Sequence, residues 1–445
     1  MSGHLQPAAA KRPDSTRGAA SSSGPLALRV RLQLAAAAAI RATGSTAPGP
    51  SDRQRGVALL LAMTAIAILT VFSLEFTYQS RVAVRTSSYV EQEIEAHLHA
   101  RAAVELATLV IGSVDIVESI INKYASMLGG QRPNISTAAY ACEFVNAFCE
   151  GRMNMMGLDL IDLRGKEAAG LERGTCGCKS DDEDGRVNLN RVANLGEKQA
   201  TFDTLYKLLE RHEGMSSAGE LDKEMAQLAL NVMDWADVDN VKTDLDPATR
   251  KLQQGTGSEG VHYARHGYKS KDAPFDTTEE VRLVEGMTDA LWCKLRDQLT
   301  VYNTAKLNVN TAPIEVIKAL VCKNLADPRH ELIACARTNG AAAAFVPVNV
   351  AGQYIEVCRT LKKLIFSPPF STPGRFVRFF EKLGTVLPAD YANVLQVNAG
   401  KMLADVGTSG QIVRITAFGT SGSVTKTITA LLDTTSKQYV YWRED

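Results

Sequence analysis

The stretch Gly56–Leu74 carries no charge and no proline, and Arg53 and Arg55 stand directly before it. About 20 apolar residues at a 1.5 Å rise span the roughly 30 Å core of a bilayer. The two arginines predict that residues 1–55 stay on the cytoplasmic side and that the rest of the chain crosses. A cleaved secretory signal fits poorly. Its apolar region is shorter and its small residues follow that region, whereas here Gly56 precedes it. Before Val57 there are eight basic residues against two acids, Asp14 and Asp52, in a segment rich in Ala, Ser, Gly, Pro and Arg. That composition predicts disorder.

No proline interrupts the chain between Gly56 and Pro133. Val90, Ile94 and Leu98, then Leu106, Val110, Val114, Val117, Ile121 and Tyr124, recur at three and four residues. This predicts one amphipathic helix over 57–128, on the order of 100 Å long, with that stripe packed on a folded domain. Basic residues, a glycine and an apolar helix that runs on into a domain resemble a type IV prepilin N-terminus. The resemblance implies cleavage after Gly56 by a prepilin peptidase and methylation of Val57 as the new first residue. Major pilins carry glutamate at the fifth mature position, and here Leu61 stands there. A charge in lipid needs a partner, so leucine suits a subunit with none ahead of it.

Residues 129–174 show no clear pattern. "SDDEDGRVNLN" (180–190) then sets four acids and a glycine before an alternating strand. With Gly185 as the central glycine of an EF-hand, Arg191 would fall at the last ligand position, which excludes that loop. A tight turn with a solvated acidic cluster is the expectation. Residues 200–235 read as helices, and the second ends in "DWADVDNVKTD", where Asp234, Asp237, Asp239 and Asp244 crowd a helix C-terminus. Negative charge is unfavourable there, and oxygen-rich loops after helices commonly hold calcium. In 274–320, Thr277 and Glu280 form a capping box. "VRLVEGMTDALWCKL" reads as helix, glycine hairpin, helix. "LNVNTAP" reads as a strand followed by an Asn310/Thr311 cap. "RVNLN" at 186–190 and "LNVN" at 307–310 form a weak internal repeat. At the C-terminus "QIVRITAFGT", "VTKTITALL" and "QYVYWRE" alternate between turn-forming segments, predicting a three-stranded antiparallel meander.

Lys+Arg and Asp+Glu balance at 49 each, so bulk charge selects neither nucleic acid nor an acidic substrate. Cys142 and Cys149, Cys176 and Cys178, and Cys322 and Cys335 lie close in pairs, while Cys293 and Cys358 stand apart. The spacing excludes a zinc ribbon. Outside the cytoplasm some cysteines are expected to oxidise, with the pairing left open. The seven histidines are scattered, and no nucleophile motif such as G-x-S-x-G occurs. No catalytic constellation is present, and the reading is of a non-enzyme.

In order along the chain stand the leader glycine with an aliphatic fifth residue, "DEDGRVNLN", "DWADVD", "PFDTTEEVRLVEGMT", "LTVY", "LNVNTAP" and "WRE". Together they resemble the minor pseudopilin K family of the type II secretion system (GspK), over roughly residues 53–445. The resemblance implies an α+β fold, with a pilin-like long N-terminal helix packed on an antiparallel sheet and a large inserted helical domain of helix-hairpin-helix or SAM-like type. The expected division is a leader at 1–56, the helix at 57–128, the first part of the pilin-like domain at 129–200, the inserted domain at 201–365, and the rest with the meander at 366–445. It implies a place at the pseudopilus tip with minor pseudopilins I and J and the major pseudopilin, on the inner-membrane secretion platform. The soluble part would be periplasmic. The family's helical domain can bind calcium, and its "AED" motif is matched in part by "SEG" with Glu259. The implied calcium site is Asp237, Asp239 and Glu259. A membrane-anchored DNA receptor of the competence type is the alternative, carried by the helix-hairpin-helix pattern. The acids around "VEGMTD" oppose it, and no nucleic-acid partner is expected.

Overall fold

The computed structural model describes residues 52–113, 137–150, 152–155, 158–162, 174–212, 218–246, 248–302, 306–336, 340–363, 368–386 and 389–445. The leader before Asp52 and the predicted continuation of the long helix over 114–128 lie outside these. Helix α1 runs Asp52–Gly112. From Val57 to Tyr89 every described side chain on it is exposed, and the helix is long and apolar enough to cross a membrane.

The domain that begins at Arg85 is built on one sheet. Helix α2 (Thr137–Cys149) leads to a hairpin, β1 (Arg152–Met155) and β2 (Leu158–Asp162), and then to β3 (Thr175–Asp182). The chain next enters a helical insertion. Its first part holds β4 (Val187–Asn188), α3 (Leu195–His212), α4 (Ala218–Ala236), β5 (Thr243–Leu245), β6 (Leu252–Gln254), α5 (Gly260–Tyr263), α6 (Asp289–Leu295) and β7 (Leu299–Thr300). Its second part holds β8 (Leu307–Asn308), α7 (Ile314–Lys323), α8 (Glu331–Ala334), α9 (Pro347–Lys363), α10 (Pro373–Val386), α11 (Ala389–Val394), α12 (Ala399–Asp405) and β9 (Val406–Gly407). The meander β10 (Ile412–Ser421), β11 (Val424–Asp433) and β12 (Gln438–Glu444) closes the chain. The sheet order is β12-β11-β10-β3, all antiparallel. The fold is α+β, with a long N-terminal helix, an antiparallel sheet and a helical insertion.

The face of α1 that meets the sheet is only partly the one its large residues predict: Leu106 and Val110 pack against the core, but the first half of the stripe does not. Ala96, Ala100, Ala103, Val104, Ala107 and Ile111 are buried, while Val90, Ile94 and Leu98 are exposed. The reason is distance. A Cβ on Gly419 of β10 would lie 2.1 Å from Ala96 O and 2.4 Å from Ala100 N. Helix backbone and strand backbone touch, so only small side chains fit between them. Val413, Ile415 and Ala417 of β10 and Ile428, Ala430 and Leu432 of β11 complete this core. Two disulfides, Cys142–Cys178 and Cys149–Cys176, staple α2 to β3. The cysteines are seven apart on the helix and two apart on the strand, which puts each pair on one face. Cys322–Cys335 closes a third bridge, and Cys293 and Cys358 are free.

The insertion starts after Asp182 and ends before Ile412, longer at both ends than the expected 201–365. It has two hydrophobic cores, one drawn from 187–319 and one from 309–406. The cores are copies of one plan. In the first, β4 pairs in parallel with β7; in the second, β8 pairs in parallel with β9. Asn190 Nδ2 donates to Phe275 O (3.0 Å) and Val301 O (2.8 Å), and its Oδ1 accepts from Phe275 N (2.8 Å). Asn310 Nδ2 donates to Phe370 O (2.9 Å) and Thr408 O (3.0 Å), and its Oδ1 accepts from Phe370 N (2.9 Å). The echo between "RVNLN" and "LNVN" is therefore a structural repeat. It also corrects the expected cap. Asn310 is spent on Phe370 and Thr408, Thr311 Oγ1 donates to Asp182 Oδ2 (2.9 Å), and α7 is preceded by Pro313.

The acidic turn at 182–185 is buried rather than solvated. Glu183 is 0% and Asp184 3% exposed. Glu183 Oε1 pairs with Arg186 (3.2 Å) and Arg414 (2.5 Å). Asp184 Oδ2 accepts from Gln411 N (2.6 Å) and Ile412 N (2.9 Å), tying the start of the insertion to its end. The glycine hairpin at Gly286, where φ is +91°, joins a 3-10 segment, Thr278–Leu283, to the short α6. The first arm of the predicted helix-hairpin-helix is thus not an α-helix.

Candidate metal centre

Helix α4 delivers Asp234 in its last turn and Asp237 just beyond its end. The three-residue spacing puts both carboxylates on one face. The chain then turns through the β5–β6 hairpin and returns Glu259 at the start of α5. Asp234, Asp237 and Glu259 each offer an oxygen, and the three oxygens lie within 4.8 Å of one another. All three residues are buried. Asp234 is anchored by Thr243 N, which donates to Oδ1 (3.1 Å) and Oδ2 (3.2 Å). Lys198 Nζ, from α3, lies 3.5 Å from Asp234 Oδ1 and contacts Asp237 Oδ2 and Thr243 Oγ1. Among the described residues, both oxygens of Glu259, Asp237 Oδ1 and Asp272 Oδ1 are buried without a hydrogen-bond partner. Asp272 sits at φ 49°, a conformation that Asp tolerates better than most residues.

One lysine thus faces three carboxylates, with a fourth in Asp272. Burial, then the charges of Asp234, Asp237 and Asp272, push the Glu259 carboxyl up to about 9. Burial pushes Asp237 up to about 6 even though Lys198 favours its ionised form, and it raises Asp234 as well. Such crowding has two remedies: protons or a cation. A cavity of about 10 Å³, bordered by Asp234, Glu259 and Tyr263, has room for one water-sized species. The donors are all hard oxygens, the set that suits calcium or magnesium. The residues present therefore fit a divalent cation. Asp234, Asp237 and Glu259 would hold it, and it would supply charge neutralisation that fixes the loop on α4.

Of the predicted ligands, Asp237 and Glu259 come together. Asp239 does not; it is exposed and its Oδ1 accepts from Val241 N (2.9 Å). Asp234 takes its place. Gly56 and Val57 lie within α1, and Leu61 is 65% exposed on it. The second repeat has no counterpart of the loop from Asp237 to Asp272, because its α9 ends at Lys363 and Phe370 follows closely.

No protein-family model matches the sequence, and no curated protein matches it. Among solved structures, a chain of the GspK–GspI–GspJ complex from the type 2 secretion system of enterotoxigenic Escherichia coli is similar. The TM-score is 0.45 at 14% identity, covering 81% of this chain and 99% of that chain.

Proposed function

We propose that this chain is a minor pseudopilin of the type II secretion system, a structural subunit that helps to initiate and cap the pseudopilus tip. The observation that carries the reading is the two-faced α1. Its small residues seat the chain's own sheet, and Val90, Ile94 and Leu98 stay exposed at a four-residue spacing. A stripe of this kind suits packing against helices of other subunits. The order of motifs from "RQRG" to "WRE" supports the same reading. By that resemblance the partners are minor pseudopilins I and J and the major pseudopilin, a prepilin peptidase cuts after Gly56, and the domain beyond α1 is periplasmic. A bound calcium at Asp234, Asp237 and Glu259 would be a structural cofactor. The test is co-purification of the full chain with pseudopilins I and J. A stable complex that weakens in Ile94→Asp is expected. Failure of the wild-type chain to associate with either would overturn the proposal.

A further inference from the structure

Where the two repeats of the insertion meet, a cleft of about 50 Å³ opens between β4–α3 and β8–α7. Arg186, Arg191, Lys306 and Lys323 line it, with Asp405 as the one carboxylate. Two of these cations are held internally. Lys323 Nζ donates to Ala200 O (3.1 Å) and Thr204 Oγ1 (3.1 Å) and pairs with Asp405 Oδ2 (2.9 Å). Arg186 pairs with Glu183. Among the described residues, Lys306 Nζ reaches a neutral carbonyl, Leu403 O, at 3.2 Å, and pairs with no carboxylate. Arg191 is half-buried, and no side-chain partner is seen for it among the described residues. Each repeat therefore contributes to the same cleft one positive charge that no carboxylate among the described residues compensates. A hole of this size takes a few waters at about 10–15 Å³ each, or one tetrahedral oxyanion.

We propose that this cleft binds an oxyanion of the phosphate or sulfate class, with Arg191 and Lys306 as its cationic partners. A guanidinium presents paired donors to such an anion, and an ammonium adds a point charge from the opposite bank. The bound anion joins the first repeat to the second. It therefore stabilises the folded insertion by mass action. The inference is independent of the assembly role proposed above.

The experiment is calorimetric titration of the full chain in detergent with sodium phosphate, against sodium chloride at equal ionic strength, with chelator present. A glycerol phosphate arm separates a free ion from a phosphoryl group on a larger molecule. Saturable binding of phosphate, weakened about tenfold or more in Arg191→Gln/Lys306→Gln, is expected. Both side chains reach the surface, so circular dichroism should show the double variant folded. Arg191→Lys/Lys306→Arg, which keeps both charges, should retain most of the binding and serves if the neutral variant misfolds. Heat no greater than for chloride, or equal affinity in the neutral variant, overturns the proposal.

Discussion

At Glu259 the chain keeps a buried carboxyl with neither oxygen hydrogen-bonded, a group costly to hold as a carboxylate unless a proton or a cation neutralises it. Glu259→Gln should stabilise the metal-free protein by about 1–3 kcal/mol; calcium should raise the melting temperature of the wild type, and the variant should lose most of that rise. Thermal unfolding with chelator and with calcium checks both arms. A variant less stable than wild type in chelator would contradict this account. The aspartates crowding the end of α4 were legible from sequence. The choice among them was not, because Asp234 and Asp237 share a helical face while Asp239, two residues on, turns outward. Asp182 gives a pH-dependent counterpart. Burial, then the charge of Asp184, raises its carboxyl to about 6, although Thr311, Asn308 and Asp184 N donate to it. Its folded pKa lies above the unfolded 3.8. The stability it contributes is therefore fully present below about 3.8 and is lost as pH rises through about 6. The bond from Thr311 runs the other way, since a hydroxyl donates more strongly to an ionised acceptor. Thr311→Val should cost about 1.5–3 kcal/mol above pH 7 and about 0.5–1.5 kcal/mol near pH 4.5. Urea unfolding at the two pH values measures the difference.

At the scale of single elements, alternation revealed β10 and β11 because each turns one side to the core, while β12 was legible from its β-forming residues and the turn before it, although nearly all of its residues are exposed. Strand β3 was hidden. "TCGCKSDD" carries a glycine and several polar residues, and its partner β10 lies far along the chain. The first half of the stripe on α1, Val90, Ile94 and Leu98, misled for a physical reason, while Leu106 and Val110 pack against the core. Large apolar residues normally mark the core face, but the close approach at Gly419 selects alanine. The paired disulfides between α2 and β3 make a quantitative case. They close nested loops with separations of 36 and 27 residues. With either bridge intact, the second closes only a short remaining loop, which constrains the unfolded chain little further. Replacing one cysteine pair by serine should cost about 1–2 kcal/mol, and replacing both about 4 kcal/mol. Additive losses of equal size would show that the bridges act through native packing instead.

For the molecule as a whole, the sequence carried the α+β plan but only a faint trace of the duplicated insertion. A shared fold needs just a few common residues, here the Asn188/Asn190 and Asn308/Asn310 turns and the Phe275 and Phe370 that they hold. The repeats differ in one respect that predicts behaviour: only the first carries the acidic loop from Asp237 to Asp272. Chelation should therefore speed hydrogen exchange over 234–272 and leave the second core unchanged. The stabilisation lost is about 2.7 kcal/mol for a site held at a hundredfold excess over its Kd. Peptide-resolved exchange with and without calcium would show this, and equal loosening of both cores would refute it. The insertion also departs from and returns to adjacent strands, since Asp182 of β3 stands opposite Val413 of β10. For the sheet, the whole insertion amounts to an enlarged hairpin turn. Such a graft can be lengthened, exchanged or trimmed to a tight loop without disturbing strand order.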